Sequence, residues 1–82
     1  MKIEFKKQPK KYLESAPISV KNKLLKCIDN LFDDWKHIKK LSGYENRYRY
    51  KIEHYRIVFE RKSGNEIVIV IIEINTRGNI HY

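Results

Sequence analysis

The chain has little cysteine, little glycine and proline, and no long apolar run. Cys27 is the one cysteine among 82 residues, so neither an intrachain disulfide nor a multi-cysteine metal site can form. Its three glycines and two prolines leave no room for a linker, a repeat or a low-complexity tract. The longest apolar stretch, Ile67 to Ile72, is far too short to span a bilayer. Residues 1–15 are broken by lysines and glutamates and hold no apolar core of a signal peptide. The expectation is a soluble, cytoplasmic protein without membrane association. Acid is also scarce: 10 acidic side chains face 18 basic ones, for a formal net charge of +8.

What is present bounds the answer further. The length implies one domain over residues 1–82, and a hydrophobic share of 41% is enough for a compact core. Excess positive charge on so short a chain favours nucleic acid, an acidic protein or an anionic surface as partner. The two cation types are segregated. Eleven of the 13 lysines lie in residues 1–41, and all five arginines lie in residues 42–82. Lysines solubilise and steer, whereas the arginine fork binds phosphate through two parallel hydrogen bonds. The second half therefore reads as the site and the first as scaffold.

Hydrophobic period supplies the elements. Lys2 to Lys6 alternates as a short strand, with Ile3 and Phe5 on one face. Pro9 suits the first turn of a short helix that Ser15-Ala16-Pro17 ends. Val20, Leu24, Cys27, Ile28, Leu31, Phe32 and Trp35 recur at helical spacing and predict one long amphipathic helix over 18–35, its aromatics in or at the edge of the core. Gly43 marks a loop.

Residues 47–53, Arg-Tyr-Arg-Tyr-Lys-Ile-Glu, then alternate without a fault. Arg47, Arg49 and Lys51 share one face of a strand, and Tyr48, Tyr50 and Ile52 share the other. A turn at Glu53-His54 leads to a second alternating run, Tyr55 to Lys62, and Ser63-Gly64-Asn65 reads as a hairpin turn before the β-branched strand over 67–74. The predicted fold is α+β in the order β-α-α-β-β-β, an antiparallel four-stranded sheet with both N-terminal helices packed on one face.

Four segments in this order resemble the RelE/ParE superfamily of small bacterial and archaeal toxins: Lys40-Leu41-Ser42-Gly43-Tyr44, Tyr48-Arg49-Tyr50-Lys51-Ile52, Tyr55-Arg56-Ile57-Val58-Phe59 and Ile74-Asn75-Thr76-Arg77-Gly78-Asn79-Ile80-His81. With the lead strand and helices, the resemblance covers nearly the whole chain. It implies a toxin of a type II toxin-antitoxin system held by a cognate antitoxin protein; the sequence leaves the oligomeric state of the free toxin open, with a monomer as the expectation. The RelE-like branch cleaves mRNA in the ribosomal A site without a metal or other cofactor. The ParE-like branch poisons DNA gyrase, and a non-catalytic relative would only bind RNA or antitoxin.

The resemblance also assigns residues. Arg56 occupies the position of a catalytic arginine that holds the scissile phosphate; the competing role is an ion pair with Glu60 along the same face. Arg49 and Lys51 match two basic strand positions of ribosome-dependent members, or form only a solvated basic face with the more peripheral Arg47. Arg77 matches an arginine of the tail motif and is a candidate to clamp phosphate opposite Arg56; the competing roles are a plain loop residue or an antitoxin contact. The chain ends in His81-Tyr82, where many relatives place a tyrosine at the His81 position and others finish on a catalytic His-Tyr pair. Imidazole exchanges protons readily near neutral pH, and a tyrosine ring can stack on a base. Lys36, Lys39 and Lys40 form a basic cluster, with Lys39 and Lys40 as candidate RNA contacts. His54 reads as a surface turn histidine, with an acid/base role as the secondary alternative. The three histidines have no metal-ligand spacing, so no metal is expected.

Overall fold

A computed structural model describes all residues, 1–82. The elements run β1 (Lys2–Phe5), α1 (Lys7–Ser15), α2 (Ile18–Asp29), a 3-10 segment (Leu31–His37), β2 (Ile38–Lys40), β3 (Arg47–Ile52), β4 (Tyr55–Lys62) and β5 (Val68–Thr76). The expected α+β fold is present with one strand more than expected. The sheet has five strands in the order β1-β5-β4-β3-β2. It is mixed, because β1 lies parallel to β5 while the other neighbours are antiparallel. A connection from β1 through both helices and back across the sheet makes the parallel pairing possible, since no hairpin joins these two strands.

The extra strand, β2, is only Ile38-Lys39-Lys40, and Ile38 is its single buried residue. The expected long helix divides in two. Asn30 ends α2, where its side-chain amide donates to the Lys26 carbonyl at 2.9 Å. Beyond it, Asp34 has a non-helical backbone (φ −114°, ψ 32°). Its carboxylate is taken by the Tyr50 hydroxyl from β3 and by His37 Nδ1, at 2.8 and 2.6 Å. A tertiary contact thus overrides the helical period. Phe32 and Trp35 consequently stand half-exposed at the outer end of an aromatic row that runs through Tyr48 to the buried Phe59.

One face of the sheet carries the core. Tyr50, Ile52, Ile57, Phe59, Ile69, Ile71 and Ile74 pack beneath Leu13, Leu24, Ile28 and Leu31. Truncating a fully buried member such as Leu24 or Ile57 to alanine typically costs about 2–5 kcal/mol. A register shift at Val58/Phe59 on β4 sets Val58 opposite Glu73 and Phe59 opposite Ile71, so Ile71 and Ile74 can both point inward.

The β1–β5 ladder stops at Phe5 and Ile71. Gln8 of α1 takes over three residues later. Its side-chain amide donates to the Ile74 carbonyl at 2.7 Å and accepts from the Ile74 N–H at 2.9 Å. One glutamine thereby stands in for a strand and ties α1 to the sheet. The other sheet face carries no helix, and the basic residues lie there.

Candidate functional site

The alternation in β3 places Arg47, Arg49 and Lys51 on the helix-free face, with Lys51 directly opposite Arg56 and Arg49 opposite Val58 of β4. On the far side of β4, Arg56 faces Asn75 of β5. Arg77 follows the end of β5. A cleft of about 380 Å³ on this face is lined by Arg49, Lys51, Arg56, Arg77 and Tyr82. Five of the residues expected from the sequence therefore converge.

Arg56 is the most constrained. It is only 6% exposed. Its Nη1 donates to the carbonyls of Glu53 and Tyr55, at 2.8 and 2.9 Å. The intervening carbonyl, of His54, accepts the Arg77 N–H at 2.8 Å. Three consecutive carbonyls, of Glu53, His54 and Tyr55, thus take the Arg56 side chain and the Arg77 backbone N–H. Glu53 has φ +53°, an uncommon conformation for a non-glycine residue. Its carboxylate reaches the other way, to Lys23 of α2 at 3.0 Å.

The cations of the cleft have no acid. The ion pairs of the molecule are Lys23–Glu53, Asp34–His37, Arg47–Glu60 and Glu73–His81. None includes Arg49, Lys51, Arg56 or Arg77. Glu60, the competing partner for Arg56, is taken by Arg47 at 3.2 Å instead. Arg47 also lies over the Tyr44 ring at 4.2 Å, so it is held at the edge of the face. The Nε of Arg49 is buried without an acceptor, as are those of Arg47 and Arg61. Four like charges gathered without a counter-ion raise the local potential and favour an anion.

The tail is fastened down. The Asn79 N–H donates to the Thr76 carbonyl at 3.0 Å, closing a turn over Thr76–Asn79. Asn75 Nδ2 donates to the Asn79 carbonyl at 3.1 Å, and Asn79 Nδ2 to Thr76 Oγ1 at 2.7 Å. The turn sends Ile80-His81-Tyr82 back over the open face. Tyr82 joins the cation cleft and an adjoining cleft of about 580 Å³ with Leu41, Ser42, Gly43, Tyr44 and Arg49. His81, also expected at the site, lines neither cleft; its Nδ1 lies 2.9 Å from Glu73.

Other expected residues fall elsewhere. Lys39 pairs with Arg49 and shares the basic face, but Lys40 pairs with Tyr48 and belongs to the helix side. His54 packs on the Tyr55 ring, with centroids 4.2 Å apart. A groove of about 760 Å³ lies on the helix side between Tyr12, Pro17, Val20 and Tyr55, and none of the four cations lines it. The contributions of Glu73, Asn75 and the turn carbonyls went unforeseen. Glu73 had a signal in the sequence, as the one charged residue of β5.

The family model described as "ParE toxin of type II toxin-antitoxin system, parDE" matches residues 3–80. The chain belongs to the ParE toxin family. This ParE-family chain is also similar to a solved chain of the RelB-RelE antitoxin-toxin complex from Methanococcus jannaschii. The two are 27% identical with a TM-score of 0.68, over 92% of this chain and 91% of that one. No curated protein sequence matches. The resemblance to the RelE/ParE superfamily therefore holds at the level of both sequence family and fold, and the protein is a toxin of a type II toxin-antitoxin system. No helix of this toxin is long and apolar enough to cross a membrane.

Proposed function

We propose that this toxin is a metal-independent endoribonuclease that cleaves mRNA in the ribosomal A site. The observation that carries the reading is the cleft lined by Arg49, Lys51, Arg56, Arg77 and Tyr82, four cations without a carboxylate, with His81 held on the same sheet face by Glu73. Cleavage needs the 2′-hydroxyl to attack the adjacent phosphate, a proton to leave the 2′-oxygen, and another to reach the departing 5′-oxygen. Charge on the phosphate rises in between and is the main target for stabilisation. Arg56, immobilised by two carbonyls, meets that charge from a fixed direction without reorganising. Arg77 grips from the opposite wall, while Arg49 and Lys51 hold phosphate and ease formation of the 2′-oxyanion. His81 supplies proton transfer and Tyr82 stacks on a base or donates a hydrogen bond. Lys39 beside Arg49 draws in mRNA and ribosomal RNA, whereas Arg47 is engaged by Glu60 and Lys40 lies on the helix side.

A cognate antitoxin would neutralise the toxin by covering basic surface with an acidic or amphipathic segment. The similar solved structure, an antitoxin-toxin complex, supports such a partner, and the cytoplasm is where mRNA and ribosomes would be met.

Incubation with programmed ribosomes tests the reading. Wild type should cut mRNA in the A site to give a 2′,3′-cyclic phosphate or its hydrolysis product, and Arg56→Ala combined with Arg77→Ala should not. Uncut mRNA with wild type, or undiminished cutting by the double variant, rejects it. A second reading, inhibition of DNA gyrase, is favoured by the match to the ParE model. Inhibited supercoiling with intact mRNA would select it.

A further inference from the structure

We infer that Glu73 is a positioning residue that clamps His81 with its Nε2 free for proton transfer, a role resting on the ribonuclease reading above. The argument starts in β5. Val68–Thr76 contains one charged residue, Glu73, on the helix-free face opposite Val58. Its side chain is 14% exposed. A carboxylate so shielded requires donors, and it lies diagonal to Arg56, whose direct partner is Asn75. No ion pair with Arg56 forms. His81 takes the carboxylate instead.

The clamp has two points. The His81 backbone N–H donates to the Glu73 carboxylate at 3.2–3.3 Å. His81 Nδ1 meets Glu73 Oε2 at 2.9 Å. An ionised carboxylate only accepts, so Nδ1 must carry the proton in this contact. The neutral ring is then held as one tautomer, with the Nε2 lone pair outward. The His81 side chain is 88% exposed, so Nε2 is open to a bound strand. The backbone contact fixes the position of His81, and the side-chain contact sets how its ring is presented. When the 2′-oxygen bonds to phosphorus and the 5′-oxygen leaves, one proton is lost and one gained, and the one His81 handles passes through Nε2.

A test that separates positioning from simple anchoring uses Glu73→Ala, Glu73→Gln and His81→Ala in single-turnover cleavage. In parallel, nitrogen NMR of the ring at alkaline pH reads the tautomer. Glu73→Ala should slow cleavage about tenfold or more, and should cost nothing further in a His81→Ala background. Glu73→Gln keeps an acceptor for the backbone but can also donate to Nδ1. It should hold the tail, give intermediate activity and move the ring toward the Nε2–H tautomer. Additive losses in the double variant, or an Nε2–H ring in wild type, overturn the inference. Failure of wild type to cut any RNA instead rejects the ribonuclease reading, and the tautomer alone then decides whether the clamp exists.

Discussion

The Arg56 guanidinium donates from Nη1 to the carbonyl of Glu53 at 2.8 Å, from a turn in which Glu53 has φ +53°. A residue in the left-handed region is an uncommon and somewhat costly choice. Here it belongs to the turn whose carbonyls fix a 6%-exposed cation that has no acid partner. Stability alone does not favour a buried unpaired charge, whereas a site awaiting an anion does.

The first prediction follows from that tension. Arg56→Ala loses hydrogen bonds to two carbonyls but also removes a like charge from among Lys51, Arg49 and Arg77. Folding stability should change by only about 1 kcal/mol. Cleavage should fall about 10²–10³-fold, the typical loss of a preorganised oxyanion donor. Arg56→Lys should recover little, because one ammonium lacks the planar fork that bonds turn and phosphate together. Thermal denaturation beside single-turnover kinetics separates the two effects. A large loss of stability with parallel loss of cleavage would make Arg56 structural.

Gln8 gives a prediction about the scaffold. Its amide satisfies both the N–H and the carbonyl of Ile74, at 2.9 and 2.7 Å. Gln8→Ala should destabilise the fold by about 1–3 kcal/mol, the cost of leaving such backbone groups unpaired. Gln8→Glu should also destabilise it, since a carboxylate can accept from the N–H but cannot donate to the carbonyl. Urea denaturation measures both, and equal stability of Gln8→Ala and wild type would make the contact incidental.

The contrast between Gln8 and Arg49 indicates what could be read from the chain. Period-two alternation put Arg49 and Lys51 on one face and Tyr50 in the core, because neighbouring strand residues point oppositely whatever their surroundings. Arg56 and Arg77 came from resemblance, since no local rule distinguishes a site arginine from a paired one. Contacts between distant segments were not legible. Gln8 to Ile74 and Glu73 to His81 depend on how far β1 travels beside β5 and where the tail turns. The break in the predicted long helix has the same origin. Residues 31–35 fit a helical stripe, but Tyr50 and His37 capture Asp34 and unwind it. β2 was not legible either, because three residues with two lysines carry almost no periodic signal.

That captured carboxylate predicts an acid dependence. Hydrogen bonds from His37, then Tyr50, hold the Asp34 carboxyl below its ordinary value of 3.8. Burial, then the contact with Asp34, pushes the Tyr50 phenol up, so it remains a donor. The folded state binds the Asp34 proton more weakly than the unfolded chain does. The stabilisation is therefore complete above about pH 3.8 and is lost as pH falls through the lower folded value. Asp34→Asn should be less stable than wild type at neutral pH, and the gap should narrow below that window. A gap independent of pH in urea titrations would separate the contact from Asp34 ionisation.

The unpaired cations predict a salt signature. Each phosphate contact to a single strand contributes about 0.7 to the slope of log affinity against log salt. Arg49, Lys51 and Arg77 line the cleft without acids, so replacing any one by alanine should lower the slope by about that amount. Arg47 differs although it shares their strand face. Glu60 pairs with its guanidinium at 3.2 Å and the Tyr44 ring lies 4.2 Å from it, so Arg47→Ala should leave the slope nearly unchanged. A 2′-O-methyl oligonucleotide, which lacks the attacking hydroxyl, allows binding to be measured without cleavage. If the slope follows Arg47 and ignores the other three, RNA enters over the Arg47 end of β3 rather than through the cleft.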